Sequence, residues 1–297
     1  MPMPKSWTIK DLLKVSTDYL QEKQIESHRL TAEVLLAFQL EISRIALYLN
    51  LDQPLNDSEV SGYRELIRRR IQREPLQYII GVQEFWSLDF EVDPRVLIPR
   101  PETELLIEQA LAINETIAAQ NTALNRILDL GTGSGALSIT LAKELPGARV
   151  WATDLSGGAL VLAVRNAEKH NVLDRIEFIR GDLWLPLMDL GITFDLIVSN
   201  PPYVSDEDYE SLPPEVHDYE PRVSLDGRKD GMRYIRKIIE GCEDFLSPGG
   251  WLLLEMAPGQ TEKALELIEN IETLEKGTRI RDYSHRYRVV CAQKGGS

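Results

Sequence analysis

The stretch Ile127-Leu-Asp-Leu-Gly-Thr-Gly-Ser-Gly-Ala136 decides the fold. A short apolar run ends in three glycines, Gly131, Gly133 and Gly135, and a helical pattern begins directly after them. The order strand, glycine loop, helix lets the backbone turn tightly and come close to a ligand. The helix N-terminus then offers N–H groups to polar or anionic atoms. Ala136 also fits the relaxed dinucleotide-binding form of this loop. Taken alone, the loop is therefore compatible with a nicotinamide or flavin site as well as with S-adenosylmethionine. Asp154, at the end of the next strand, is the acid expected about 20 residues on, where a carboxylate accepts ribose hydroxyl protons. Both cofactor classes require it.

Outward from this loop, short apolar runs alternate with helical stretches. The strands expected are Ile127 to Leu130, Val150 to Thr153, Ile176 to Ile179, Phe194 to Ser199 and Trp251 to Glu255, followed by an antiparallel finish around Arg279 to Asp282 and Arg288 to Ala292. Repeated strand and helix imply an α/β, Rossmann-like, doubly wound sheet whose ligands bind at the carboxyl ends of the strands. Residues 99–297 are assigned to this domain. Residues 1–80 read as a small all-helical domain. Thr8 and Asp11 form a capping box ahead of an apolar stripe of Ile9, Leu12, Leu13, Tyr19 and Leu20, and a second helix follows Ser27 with Leu30, Val34, Leu35 and Phe38 inward. A third helix spans Ser43 to Leu49, and a fourth begins at Asn56 with Glu59 completing a cap. The fourth ends in Arg64, Arg68, Arg69, Arg70 and Arg73, read as a solvated face whose cations suit a helix C-terminus. Residues 81–98 form a β-hairpin-like connector. Next comes Leu97-Ile-Pro-Arg-Pro-Glu-Thr-Glu104, where two prolines stiffen a loop around Arg100 and make that arginine a candidate wall of a binding site.

The segment Ile197-Val-Ser-Asn-Pro-Pro-Tyr203 carries the chemistry. Two consecutive prolines cannot continue a ladder, so the chain leaves the sheet in a fixed conformation where ligands bind. Pro201 and Pro202 have no N–H, which leaves backbone carbonyls and the Asn200 side chain as acceptors for a donor-rich group. An amide or exocyclic amino nitrogen has two N–H donors and a delocalised lone pair. If the Asn200 oxygen and the Pro201 carbonyl each accept one N–H, that lone pair is drawn out towards an electrophile, and Tyr203 covers the flat group by stacking.

Composition sets the partners. The chain has 297 residues, 33 Lys and Arg against 47 Asp and Glu, and a net charge of -14, which disfavours a polyanionic partner. Residues 1–90 contribute -2 of this and residues 91–297 contribute -12. Asp206, Glu207, Asp208, Glu210, Glu215, Asp218 and Glu220 follow the reactive turn with no Lys or Arg among them. Cys242 and Cys291 lie far apart, which is neither a disulfide framework nor a metal spacing. No signal pattern opens the chain and no apolar run approaches the length of a membrane span, about 18 residues. The expectation is a cytoplasmic monomer that engages neither membrane nor nucleic acid.

The sequence resembles the bacterial-type protein glutamine methyltransferases that modify peptide chain release factors, over nearly its whole length. The helical N-terminal domain, Pro-Arg-Pro-Glu-Thr-Glu, Gly-Thr-Gly-Ser-Gly and Asn-Pro-Pro-Tyr occur in the family's order. Asp154-Leu-Ser-Gly-Gly-Ala-Leu160, Asn166-Ala167, Gly181-Asp-Leu183, Glu220-Pro-Arg222 and Asp230-Gly231 add to the likeness. The resemblance implies that Gly131, Thr132, Gly133, Ser134, Gly135 and Asp154 hold S-adenosylmethionine, with Asp182 and either Leu183 or Trp184 at the adenine. It further implies that Asn200, Pro201, Pro202 and Tyr203 hold the glutamine of a Gly-Gly-Gln motif. No metal is expected, because the leaving group is a neutral thioether. Ser224 stands where an alanine is usual, and Met256-Ala257 where a small or branched residue and glycine are usual. The rival readings are an adenine-N6 amino-methyltransferase on DNA or RNA, which can use the same turn on a flipped base, and a nicotinamide-dependent oxidoreductase or a cofactor-binding regulator without catalysis. The acidic charge weighs against the first. The lack of a Tyr-x-x-x-Lys pair or a His-Asp relay weighs against the oxidoreductase.

Overall fold

A computed structural model of the chain describes residues 7–119 and 122–296. Residues 1–6, on which the signal-peptide reading rests, lie outside the described residues. The chain divides into two compact units. The first runs to Gly81 and includes the distant stretch Pro214–Tyr219; the second comprises Val82–Pro213 and the chain from Glu220 onward.

The first unit contains α1 (Ile9–Glu22), α2 (His28–Gln39), α3 (Arg44–Leu49), α4 (Asp57–Ile71) and α5 (Leu76–Ile80). Both expected capping boxes are present: Thr8 with Asp11 ahead of α1, and Asn56 with Glu59 ahead of α4. The core is built from Ile9, Leu12, Leu20, Leu35, Leu36, Leu47, Tyr63 and Ile67. Helix α2 is rotated from its expected orientation. Leu30 and Phe38 are exposed, and Thr31, Ala32, Leu35, Leu36 and Ala37 face inward; Tyr19 of α1 is exposed as well. Glu33 accounts for the rotation. It is buried and accepts from Arg29 Nε at 3.0 Å, Arg44 Nη2 at 2.9 Å and the Tyr48 hydroxyl, so its face turns inward. The arginine run is also not uniformly solvated. Arg64 and Arg68 face water, but Arg70 is buried and donates to Glu215 Oε1 at 3.0 Å, with Arg73 on the same oxygen at 3.3 Å. Glu215 lies in the short α10 (Pro214–His217), which belongs to this unit.

The second unit opens with a hairpin, β1 (Val82–Phe85) and β2 (Leu88–Glu91), followed by α6 (Glu104–Ala118). Then come β3 (Arg126–Leu130), α7 (Ala136–Glu144), β4 (Arg149–Asp154), α8 (Gly157–Lys169), β5 (Ile176–Arg180), β6 (Phe194–Ser199), α9 (Asp206–Tyr209), α11 (Arg233–Phe245), β7 (Leu246–Glu255), α12 (Thr261–Glu269), β8 (Leu274–Arg281) and β9 (Tyr287–Lys294). The seven-stranded sheet has the order β5-β4-β3-β6-β7-β9-β8. It is parallel from β5 to β7, with β9 antiparallel to both β7 and β8. This is the doubly wound α/β arrangement expected. Successive residues of each buried strand serve opposite faces: Ile127, Leu196 and Leu253 pack in one apolar cluster with residues of α6 and α7, and Leu128, Ile197 and Leu252 pack in another with residues of α11 and α12. Helix α11 shows the matching stripe, Ile235, Ile238, Ile239 and Cys242.

Strand order reverses between β3 and β6, so the chain leaves these neighbours in opposite senses and opens a crevice at their carboxyl ends. The Ser199 hydroxyl fastens the two ends together by donating to the Leu130 carbonyl at 2.6 Å. The glycine loop and the Asn-Pro-Pro-Tyr turn, some seventy residues apart in sequence, therefore meet at one place.

Candidate active site

The glycine loop is held from beneath. Asp129, the single acid in an otherwise apolar strand end, is fully buried; its Oδ2 accepts from Thr132 Oγ1 at 2.7 Å and from the Ser138 amide at 3.1 Å. Burial pushes this carboxyl up to about 7. The sequence reading gave Asp129 no role, although a carboxylate inside Ile-Leu-Asp-Leu was a usable signal, because a buried acid needs partners. The Thr153 carbonyl accepts from both Gly131 N and Thr132 N at 2.9 Å. Gly131 and Gly133 have φ of 78° and 56°, and no atom lies within 4 Å of where a Cβ would stand. The loop thus turns bare backbone towards open space, leaving room that a side chain would fill. Gly135 is needed for another reason: with φ 86°, a Cβ there would stand 2.7 Å from Ile139 Cδ1.

Asp154 closes β4. Its Oδ2 accepts from Gly133 N at 2.9 Å and its Oδ1 from Ser156 N at 2.8 Å, while burial raises its pKa above the usual carboxylate value. Asn166 of α8 secures the loop laterally. Its Nδ2 donates to the Ser134 carbonyl at 2.8 Å and to the Glu91 carbonyl at 3.1 Å, and its Oδ1 accepts from the Glu91 amide at 2.7 Å.

One cavity is bordered by Gly131, Gly133, Asp154, Asp182, Leu183 and Asn200, with Pro202 also on its wall. Leu183 borders it with φ 47°, a left-handed backbone that is costly for a leucine and places the side chain after the Gly181-Asp182 turn. Trp184 points elsewhere: it stacks on Phe245 at 4.7 Å with 6° between the rings and donates from Nε1 to the Lys237 carbonyl at 2.9 Å. Thr132 and Ser134 serve the loop through Asp129 and Asn166. Arg95, Leu97, Val223 and Tyr234 border the same cavity and were not expected. They come from three separate segments, the stretch between β2 and α6, the helical turn at Arg222–Ser224 and the start of α11, so only the fold brings them together. Ser224 lies there too, its hydroxyl donating to the Pro221 carbonyl at 2.7 Å.

At the Asn-Pro-Pro-Tyr turn, Asn200 Nδ2 donates to Thr103 Oγ1 at 3.0 Å, leaving Oδ1 as the free acceptor. Pro201 is buried. The Tyr203 hydroxyl donates to Glu255 Oε1 at 3.2 Å, and the Tyr203 carbonyl accepts from Gln260 Nε2 at 2.8 Å. Burial raises the Tyr203 phenol well above its ordinary range and keeps it neutral. Gln260 Oε1 in turn accepts from Ala257 N at 3.0 Å; with φ -64°, Ala257 fits the turn without strain. Arg100 does not border the cavity. It pairs with the buried Glu220 at 2.5 Å, and the Ile98 amide donates to the same carboxylate at 3.1 Å. The acidic stretch is correspondingly less bare than its sequence suggests, since Glu215 and Glu220 are both matched by arginines. Asp206, Glu207, Asp208 and Glu210 remain exposed.

The arrangement fits a nucleoside donor. Open backbone at the glycines suits close approach, the Asp154 carboxylate can accept from ribose hydroxyls, and Leu155 and Leu183 offer apolar walls. Residues 11–81 match the family model for the PrmC N-terminal domain, and residues 105–212 match that for the methyltransferase small domain. The catalytic domain of hMettl16, solved in complex with the MAT2A 3'UTR hairpin 6, is 18% identical, with a TM-score of 0.56 over 76% of this chain and 81% of that one, and shares the fold. Among curated relatives, the release factor glutamine methyltransferase of Chlorobaculum tepidum is 43% identical over 88% of this chain and 90% of its own. That of Geobacter sulfurreducens is 47% identical over 89% of each chain. On a likeness of that depth across both the helical and the α/β parts, this chain belongs to the release factor glutamine methyltransferase family.

Proposed function

We propose that the chain methylates the side-chain amide nitrogen, N5, of the glutamine in the Gly-Gly-Gln motif of translation termination release factors, with Asn200 to Tyr203 holding that glutamine. The observation that carries the reading is the placement of Asn200: it borders the same cavity as Gly133, Asp154 and Asp182 and keeps its Oδ1 free to accept. S-adenosylmethionine, when bound, supplies a methyl group on a sulfonium whose departing thioether is neutral. The chain's own residues do the rest. The glycine loop and Asp154 hold the nucleoside, Asp182 and Leu183 flank its base, and Asn200 Oδ1 with the Pro201 carbonyl accepts the two N–H groups of the target amide. Those two acceptors weaken the conjugation of the nitrogen lone pair and fix its direction, a positioning effect that can supply several kcal/mol of the barrier. Tyr203, fixed at both its hydroxyl and its carbonyl, covers the flat amide. The exposed acids of residues 206–210 favour a basic protein as partner over a phosphate backbone.

The test is transfer of a tritiated methyl group with three acceptors side by side: a release factor, duplex DNA and RNA. Label is expected in the release factor, at the Gly-Gly-Gln glutamine by peptide mass mapping. Labelled nucleic acid and an unlabelled release factor would overturn the reading.

A further inference from the structure

Asn200 can serve the target amide only if its own amide is turned the right way. Oxygen and nitrogen have the same shape, and a hydroxyl neighbour cannot choose between them, because it accepts as readily as it donates. Thr103, the neighbour here, is buried and receives Asn200 Nδ2 at 3.0 Å. It can hold that role only if its own proton points elsewhere. Glu255, at the end of β7, is fully buried; its Oε1 takes the Tyr203 hydroxyl, its Oε2 has no hydrogen-bond partner, and the Thr103 hydroxyl lies against the carboxyl, favouring its charged form against the burial that disfavours it. Once ionised, that carboxyl only accepts.

We infer that Glu255 and Thr103 are positioning residues that set the polarity of the Asn-Pro-Pro-Tyr turn: the ionised carboxylate accepts a hydrogen bond from the Thr103 hydroxyl, Thr103 must then accept from Asn200, and Asn200 Oδ1 is thereby committed to the substrate. This rests on the proposed glutamine site and deepens it. The same carboxylate holds the Tyr203 hydroxyl, so one buried group fixes both polar side chains of the turn. Neither residue borders the cavity, which separates this role from binding of the donor.

The decisive experiment is a double-mutant cycle of Thr103→Val and Asn200→Ala, with Thr103→Ser as the conservative variant. Thr103→Val keeps the shape and removes the hydroxyl. It is expected to lower kcat roughly 10- to 100-fold, the scale of a small misplacement, with S-adenosylmethionine affinity unchanged by titration. Thr103→Ser is expected to restore most of the rate. In the Asn200→Ala background, Thr103→Val is expected to cost nothing more, since it acts through Asn200. A readout independent of turnover is the side-chain amide signal of Asn200 in 15N-asparagine-labelled protein, whose exchange with water should quicken in Thr103→Val and in Glu255→Gln. Multiplicative losses in the cycle, or a Thr103→Ser variant as poor as Thr103→Val, would overturn the inference. Failure of the wild-type protein to methylate a release factor would overturn the proposed function and this inference with it, whereas a wild-type protein that is active alongside an equally active Thr103→Val would overturn the inference alone.

Discussion

Gly231 lies against the backbone of Tyr203: a Cβ at Gly231 would stand 2.2 Å from the Tyr203 carbonyl oxygen and 2.2 Å from Gln260 Nε2. Gly231 also has φ 70°, so a side chain there meets both a forbidden contact and a disfavoured backbone. The contact is with backbone that cannot swing away. Gly231→Ala is therefore expected to push the Asn-Pro-Pro-Tyr turn out of place and break the hydrogen bond from Gln260. Turnover should fall by about 10²-fold or more, with a loss of about 1–3 kcal/mol in unfolding free energy from backbone strain. Methyl transfer and urea unfolding on the same preparation check this. A variant of wild-type activity would show that the turn does not depend on this support.

Asp154 accepts two backbone N–H groups and borders the cavity, so it both shapes the glycine loop and is the acceptor proposed for the ribose. Asp154→Asn keeps the shape and loses the charge and part of the acceptor capacity. We expect S-adenosylmethionine binding to weaken roughly 10- to 100-fold, the value of one or two hydrogen bonds to a charged group. At saturating donor, kcat should change far less. Calorimetric titration separates the two, and unchanged affinity would remove Asp154 from the donor site.

What could be read from the sequence followed from local rules. Glycines after an apolar run, a capping residue three positions ahead of its acid, and prolines at a strand exit act within a few residues, so β3, β6, both capping boxes and the Asn-Pro-Pro-Tyr turn were legible. Relations between distant segments were not. The face that α2 turns inward depends on Arg29, Arg44 and Tyr48 meeting Glu33, a relation that the two larger apolar residues Leu30 and Phe38 mask in the local pattern. Likewise, nothing near Trp184 in the chain indicates that Phe245 lies beside it, and nothing near Asn200 points to Thr103, 97 residues earlier. The nucleus of the candidate site is legible as motifs. Of its supporting residues, Asp129 carries a local signal as an acid inside an apolar strand, whereas Thr103, Glu255 and Gln260 carry none.

The ion pair of Arg70 with Glu215 is one of these distant relations, and it bears on stability alone. Arg70 is buried, its Nε has no hydrogen-bond partner, and Nη2 relies on a carboxylate from α10. Removing that carboxylate leaves a buried cation, which costs more than the pair contributes when intact. Glu215→Gln should destabilise the helical unit by about 2–4 kcal/mol while leaving S-adenosylmethionine affinity unchanged. Replacing the pair together, Arg70→Met with Glu215→Gln, should recover most of the loss. Thermal unfolding of the wild-type protein and the two variants decides it: a double variant no better than Glu215→Gln alone would mean that the arginine's packing, and not its charge, is what matters.

Glu255 gives the stability a pH dependence of definite sign. Burial, opposed by Thr103, Arg288 and Tyr203 and reinforced by Glu102, raises its pKa to about 7 from an ordinary value of 4.5. Between those two values the folded protein holds a proton that the unfolded chain has released, so this group's contribution is complete below about 4.5 and is lost as pH rises through about 7. Asp129, also raised to about 7 from 3.8, slopes in the same direction. Glu255→Gln cannot titrate. Whatever its stability at pH 5, it should gain on the wild-type protein as pH rises to 8, and the gap measured by urea unfolding should shift in its favour across that interval. Asp129 is present in both proteins and cancels in the comparison. A gap that stays constant from pH 5 to 8 would mean that Glu255 is ionised throughout. That outcome would leave the polarity assigned to Thr103 intact down to pH 5, whereas the expected shift confines a fully ionised Glu255, and with it a fully committed Asn200, to pH values above about 7.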